Sequence, residues 1–346
     1  MESPGPESDT VISSRVRLAR NLEGIPFPHL MTDEQADQVI DMVGAAFRSP
    51  AAGKLVLNTW QLIRMAELSP LDRHILVEKH LISPNLARTD RGAVVVGAGE
   101  AVSIMINEED HLRIQCLYPG LQLAEALELA NKVDDLLESR LEYAFHEKRG
   151  FATACPTNAG TGMRASVMVH LPVLVINNQA GRVLSTVVKL GFLVRGLYGE
   201  GTEALGNIFQ VSNQVTLGQA EEEIVQNLRS VVLQVIGQER QLRRAIVADM
   251  REQIEDKVGR AYGTLLWGHI ISSQEAMQLM SDVRLGIELG LIKGVDRKIL
   301  NELLVAIRPA FLQKLAGREL DATERDVRRA DLIRLRLKAS GLERTE

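Results

Sequence analysis

Two cysteines in 346 residues, Cys116 and Cys155, are too few for a disulfide framework and lack the close spacing of a zinc site. Both thiols are expected to be reduced. The chain has no large excess of either charge: 40 lysines and arginines stand against 45 aspartates and glutamates, and a net charge of -5 argues against general nucleic-acid binding. No apolar stretch is long enough to cross a bilayer, and Met1 to Ser8 shows no basic region leading into an apolar run, so a cytoplasmic protein without membrane association is expected. Internal repeats and low-complexity tracts are absent. Absent too are a GxxxxGK(S/T) loop and an HRD and DFG pair, which removes the phosphate ligands of P-loop enzymes and of ordinary protein kinases.

What remains is a chain with 45% hydrophobic and 25% charged residues, long enough for two domains with separate cores. Residues 33–47 have helical spacing. Residues 93–96, 102–106 and 112–117 look like successive strands, with Gly97-Ala98-Gly99 as a hairpin turn. Short connections favour an antiparallel sheet, because parallel strands need long crossovers. Recurring leucines predict a helix over 121–145, and another over 220–244 closes a first domain at residue 244. Beyond 245 the pattern is wholly helical, with Ser272-Ser273-Gln274-Glu275 as a capping box and Met277, Met280, Val283 and Ile287 on one face. The expected class is α+β: an antiparallel sheet flanked by helices over 1–244, then an all-helical domain over 245–346.

The most specific segment runs from Cys155 to Pro172. Gly160 and Gly162 permit a turn closed to other residues, which can bring a thiol back toward an alternating strand, Arg164 to Val169. Cys116, in contrast, reads as a packed strand residue.

This segment closely resembles the signature of the phosphagen (guanidino) kinase family. Four further stretches resemble that family's motifs in its order: Ser13-Ser14-Arg15-Val16-Arg17, Val77-Glu78-Lys79-His80, Asn107 to Arg113, and Arg195 to Glu203. Tyr198 and Gly201 depart from the arginine and histidine usual in small-molecule members. The resemblance implies transfer of the γ-phosphoryl group of ATP, with Mg²⁺, to a guanidinium nitrogen, and no protein-built metal cage. It places Ser13, Ser14, Arg15, Val16, Arg17, His80, Arg113, Arg164, Ala165, Ser166, Val167, Met168, Arg195, Gly196, Leu197, Tyr198, Gly199 and Glu200 at the nucleotide. Guanidinium forks suit that task because they bind phosphate in a planar, bidentate way. Glu109 is implied as the leading base, Glu200 as its carboxylate partner, and Cys155 against the acceptor's remaining edge.

Small-molecule members carry a helical domain before the first arginine motif, whereas Arg15 stands close to the start here. The expectation is a site open to an arginine side chain on a polypeptide, as in the family's bacterial protein-arginine kinases. Arg325-Asp326-Val327-Arg328-Arg329-Ala330 resembles their phosphoarginine-binding motif, with Arg325 and Arg329 on one helical face and Asp326 beside them. That resemblance further implies a homodimer or larger assembly, allosteric regulation by product, an activator like McsA, a repressor target like CtsR, and delivery of marked proteins to the ClpC-ClpP protease in a stress response. Two alternatives stay open: a small-guanidine kinase, and a catalytically silent phosphoarginine-binding protease adaptor.

Overall fold

The computed structural model describes residues 4–49, 59–196 and 204–342. Ten strands are present among these: β1 (Val11–Arg20), β2 (Trp60–Arg64), β3 (Ala93–Gly97), β4 (Val102–Ile106), β5 (Leu112–Pro119), β6 (Phe145–His146), β7 (Gly150–Phe151), β8 (Met163–His170), β9 (Phe192–Gly196) and β10 (Ile208–Asn213). Eight of them form one sheet in the order β2-β3-β4-β5-β1-β8-β10-β9, and β6 and β7 form a separate hairpin. The β2-β3, β3-β4, β4-β5 and β1-β5 ladders are antiparallel, as the short connections predict.

The described helices are α1 (Asp33–Phe47), α2 (Pro70–Glu78), α3 (Leu123–Glu138), α4 (Pro172–Ile176), α5 (Ala180–Lys189), α6 (Glu221–Asp249), α7 (Arg251–Trp267), α8 (Ser273–Glu288), α9 (Arg297–Ala306), α10 (Pro309–Ala316) and α11 (Ala322–Leu342). The chain divides into two compact units that are discontinuous in sequence. The first comprises 13–167 with 212–230, and the second 2–12, 168–211 and 231–346.

In the first unit, strand alternation separates an apolar face from a polar one. Val16, Leu18, Ile104, Ile114, Cys116, Ala165 and Val167 are fully buried, and α3 lies against β5 with Ala126, Ala130, Val133 and Leu137 turned inward. The residues between them in sequence, Arg15 and Arg17 on β1, Arg113 and Gln115 on β5, and Arg164 and Ser166 on β8, share the opposite face. The β1-β5 register puts Arg17 across from Gln115 and Ala19 across from Arg113.

α3 stops at Glu138 rather than running to Phe145. The next residues are captured by other backbone: the Ala144 amide donates to the Asn21 carbonyl at 2.8 Å, and Tyr143 bridges to Leu22. Helical periodicity in 121–145 cannot report this competition, because Leu141 and Tyr143 are buried either way. α6 runs past residue 244 to Asp249.

Ser272 caps helix α8 at its N-terminus, its hydroxyl accepting from the Glu275 amide at 3.2 Å. In the second unit, Ile254, Val258 and Leu265 of α7 share a core with Met277, Met280 and Val283 of α8. Glu239 accepts from the Val173 and Leu174 amides at 3.1 and 2.9 Å, so a carboxylate caps α4 at the end where its backbone dipole favours negative charge.

Arg20 closes β1 in the first unit. Its Nε and Nη2 donate to one oxygen of Asp134 at 2.9 and 2.6 Å, and Nη1 donates to the Thr161 carbonyl at 2.9 Å. Its guanidinium also lies 3.6 Å from the centre of the Phe151 ring. Arg20→Ala would strand a buried carboxylate, so the expected loss is about 3–5 kcal/mol, read as a fall in the urea midpoint. Arg20→Ala and Asp134→Ala together should lose less than the sum of the two single changes.

Candidate active site

The polar face of the first unit gathers four of the five arginines singled out above. Arg15 Nε lies 3.4 Å from the Ser166 hydroxyl, and Arg164 Nη2 lies 3.4 Å from the Ser212 hydroxyl. Arg17 sits among Arg15, Arg113 and Arg164; burial, and then these three cations, hold its pKa well below the usual arginine range. Among the described residues, Arg17 Nε is buried without a hydrogen-bond partner. Since guanidinium remains charged in proteins, the lowered pKa expresses the free-energy cost of crowding cations in a partly dry place. An anion with several oxygens would offset that cost. The orphaned donor and its cationic neighbours therefore fit a polyphosphate tail.

Arg113 also organises the acidic segment. It pairs with Glu108 at 2.5 Å and with Glu109 at 2.9 Å. The Glu108 side chain is only 3% exposed and accepts from the Ser83 hydroxyl at 2.7 Å, whereas Glu109 is 44% exposed. One carboxylate is thus fixed and the other reaches solvent beside the arginine cluster. Glu108 was not picked out from sequence, although it lies inside the quoted acidic segment; nothing in spacing alone distinguishes it from Glu109.

A second network joins this hairpin to the thiol loop. Asp110 Oδ1 accepts from Asn21 Nδ2 and from the Ala154 amide, both at 2.7 Å. Asn21 Nδ2 also donates to the Ala152 carbonyl at 2.9 Å, and its Oδ1 accepts from the His111 amide at 2.8 Å. His111 Nδ1 accepts from the Leu22 amide at 2.9 Å, which leaves Nε2 to donate to the Pro26 carbonyl at 2.8 Å. Burial lowers the His111 pKa, in keeping with this neutral tautomer. The Cys155 thiol is 2.9 Å from the Thr157 hydroxyl, and the loop's glycines are sterically required. Gly160 has φ of 103° and Gly162 of 65°, and a Cβ on either would lie 2.6 Å from a backbone oxygen, of Thr216 and Ala19 respectively.

The remaining predicted residues fall in several places. His80 closes α2 with φ of 60°, and its carbonyl accepts from Gln115 Nε2 at 2.7 Å, so it is tied to the strand that carries Arg113. Ser13 is buried beside Arg15 along β1. Ser14, fully buried, donates to the Gly120 carbonyl at 2.8 Å and accepts from the Gln122 amide at 3.0 Å. Val16, Ala165 and Val167 face the apolar core and support the strands that carry the arginines. Met168 belongs to the second unit, as do Arg195 and Gly196 on β9, where Arg195 is exposed. Leu197, Tyr198, Gly199 and Glu200 lie outside the described residues.

On α11, Arg329 is 2% exposed. Its Nε donates to the Ile307 carbonyl at 3.0 Å, its Nη1 to the Ile271 carbonyl at 2.9 Å, and it pairs with Asp326. Arg325 is half-buried and donates to the Leu320 carbonyl at 2.8 Å.

An antiparallel sheet presenting clustered arginines beside a solvent-reaching glutamate and a thiol loop defines the class of guanidino phosphotransferases. Residues 38–242 match the profile of the ATP:guanido phosphotransferase C-terminal catalytic domain, and residues 251–346 match that of the protein-arginine kinase McsB C-terminal domain. The protein-arginine kinase of Pelotomaculum thermopropionicum is 58% identical over 335 residues, covering 96% of this chain and 94% of the relative. That of Moorella thermoacetica is 56% identical over 339 residues, covering 96% and 95%. Among solved structures, a lombricine kinase superposes with a TM-score of 0.59 at 25% identity over 71% of this chain and 70% of that one. The chain belongs to the phosphagen kinase family and, within it, to the protein-arginine kinases.

The His111 network has a testable acid response. The folded state holds this imidazole neutral, with a pKa below the ordinary 6.5, so the unfolded chain binds the extra proton as pH falls through about 6.5. Its contribution is present above that pH and is lost below it. Between pH 7.5 and 5, the urea midpoint of His111→Gln should therefore fall less than that of the unaltered protein. Parallel profiles would show that His111 takes up its proton in the folded state.

Proposed function

We propose that this protein transfers the γ-phosphoryl group of ATP to arginine side chains of other proteins. The observation that carries the reading is the buried Arg17 guanidinium, crowded by Arg15, Arg113 and Arg164 and lacking a partner at Nε among the described residues. Transferring phosphoryl groups spread negative charge over peripheral oxygens, and fixed guanidinium donors stabilise that charge without reorganising. Arg15, Arg17, Arg113 and Arg164 hold the polyphosphate, and Arg195 is assigned to the same task by motif. His80 and the Ser13–Arg17 and Arg164–Met168 segments complete the nucleotide side, and Gly196 to Glu200 are assigned to it by motif alone.

Mg²⁺ supplies charge neutralisation when bound. Its usual ligands, phosphate oxygens and water, would come with the nucleotide; among the described residues no group of three or more His, Cys, Asp or Glu side chains is placed to hold a metal.

The acceptor guanidinium is a weak nucleophile while protonated, and its pKa lies far above neutrality. Glu109 takes the proton as the nitrogen–phosphorus bond forms and the bond from the γ-phosphorus to the bridging oxygen breaks, ADP leaving with that electron pair; Glu200 holds the planar group from another edge, and Cys155 borders the remaining edge. Arg113 keeps Glu109 next to the phosphate cluster through their ion pair. Polyphosphate oxygens arriving on Arg113 would compete for that guanidinium and release the carboxylate toward the acceptor.

By role, residues 1–244 carry the chemistry, and 245–346 carry dimerisation and phosphoarginine binding through Arg325, Asp326 and Arg329. The hydrogen bonds of Arg329 point to a division of labour: Arg329 holds α11 in place, while Arg325 and Asp326 are more available to a ligand. A cytoplasmic setting, a McsA-like activator, a CtsR-like repressor target and the ClpC-ClpP protease complete the reading. No described helix is long and apolar enough to cross a membrane.

Incubation with ATP and an unfolded arginine-rich protein, followed by mass spectrometry under conditions that spare the acid-labile P–N bond, should reveal phosphoarginine. Phosphate on free arginine alone would point instead to a small-guanidine kinase. Glu109→Gln should lower the transfer rate by about 10²- to 10⁴-fold while leaving nucleotide binding within a fewfold. Unchanged transfer would remove Glu109 as the base and favour the adaptor reading. Arg329→Ala should destabilise the protein by about 2–4 kcal/mol, seen as a lower urea midpoint, because it strands two carbonyls and Asp326. Arg325→Ala should cost less than about 1 kcal/mol and should abolish any response of the transfer rate to added phosphoarginine.

A further inference from the structure

A cavity of about 600 Å³ opens on the first unit away from the residues assigned above, bordered by Glu138, Arg140, Glu142, Tyr143, Phe145 and Phe151. Its composition is unusual for a surface depression. Three aromatic rings make the wall: Phe145 and Phe151 meet edge to face with centroids 5.0 Å apart, and Tyr143 meets Phe151 in the same way at 6.0 Å. Phe145 is 57% exposed, an expensive place for a phenyl ring that has no partner to cover it. Two carboxylates, Glu138 and Glu142, stand against the single guanidinium of Arg140, so the ionised rim carries a net negative charge.

The same aromatic wall already binds a guanidinium from within. Arg20 lies 3.6 Å from the Phe151 centroid, showing that the ring system accepts a planar cation on its face. The wall is also held rigidly. Gly150, with φ of 74°, packs so closely on Gly160 that a Cβ would come within 2.1 Å of its carbonyl oxygen. The Phe151 amide donates to that carbonyl at 2.9 Å, and the Ala152 amide donates to Ala144 at 2.9 Å. Little ordering entropy would be lost when a ligand enters.

We propose that this cavity is a second arginine-docking site, which takes the cationic side chain of a residue neighbouring the acceptor in a polypeptide substrate. The inference rests on the reading that the neighbouring site phosphorylates protein arginine. Geometry links the two places: Phe151 and Cys155 are four positions apart in the chain, so their Cα atoms are at most about 14 Å apart. A polypeptide whose acceptor arginine lies at the thiol loop can reach the cavity with a second arginine a few residues away. The exposed Phe145 ring supplies the attraction for the flat guanidinium, Arg20 already covering a face of Phe151, and Glu138 and Glu142 supply its counter-charge. Lysine would bind less well, being strongly hydrated and unable to stack.

The test compares peptides of equal length: one with the acceptor arginine and a second arginine four residues away, one with citrulline at the second position, and one with lysine there. Wild-type protein should show the highest kcat/KM for the two-arginine peptide and lower values for the other two. Phe145→Ala should reduce kcat/KM for the two-arginine peptide about three- to tenfold and leave the citrulline peptide unchanged, while Phe145→Trp should retain the preference. Glu142→Gln should act in the same direction. A wild-type protein indifferent to the second residue, or a Phe145→Ala loss equal for all peptides, would overturn the proposal. Fluorescence anisotropy of labelled peptides separates this from the transfer chemistry. If no peptide is phosphorylated yet the two-arginine peptide still binds more tightly through Phe145, the kinase reading fails and the docking site stands; equal binding of all three would remove the docking site.

Discussion

Repulsion among like charges is the constraint around which the first unit is built. A sheet face that brings Arg15, Arg17, Arg113 and Arg164 together stores electrostatic free energy, expressed in the depressed pKa of Arg17. Such crowding persists only because the opposite face is bound to an apolar core. Val16, Leu18, Ile114, Ala165 and Val167 alternate with the polar residues on the same three strands and are fully buried. Burial of the apolar face fixes which residues share the other, and the pleat starts all four arginines from that same side of the sheet. Glu108 moderates the charge by pairing with Arg113 without neutralising the cluster.

The parts that would handle an acceptor are joined to that face through backbone as well as side chains. Asn21 follows β1 directly and touches both the acidic hairpin, through Asp110, and the thiol loop, through Ala152. Asp110 returns the connection by accepting from Ala154. Arg20, one residue earlier, reaches the same loop at Thr161. Glu109 and Cys155 therefore inherit their positions from the end of the strand that carries Arg15 and Arg17, and catalytic geometry of this kind loses rate steeply when displaced by an ångström.

The sequence was most legible where residue type is forced by sterics or by alternation. Gly160 and Gly162 were expected to shape the thiol loop, and their positive φ values and close backbone contacts supply the reason. The strands expected from periodicity over 93–96, 102–106 and 112–117 are found over 93–97, 102–106 and 112–119, and the helix expected over 33–47 is found there. The arginine cluster was legible only through motif resemblance, since a lone arginine pattern looks the same on a solvated surface. Two kinds of feature escaped. Asn21, His111 and Ser83 act through long-range hydrogen bonds that leave no periodic trace, and the predicted end of a helix is lost because Asn21 and Leu22 pair with the backbone of Ala144 and Tyr143. For Arg329, spacing on a helix could not distinguish a ligand-facing guanidinium from one turned inward toward carbonyls.

The two thiols of this chain have different fates. Cys116 is sealed under α3, and burial pushes its pKa up to about 12, whereas Cys155 stands half-buried in a loop. A maleimide or iodoacetamide dye applied to the native protein would thus land at one address without any cysteine-free background being engineered. The molecule comes with its own attachment point for a spectroscopic reporter, set four residues from an aromatic wall and on the loop where an acceptor would be received.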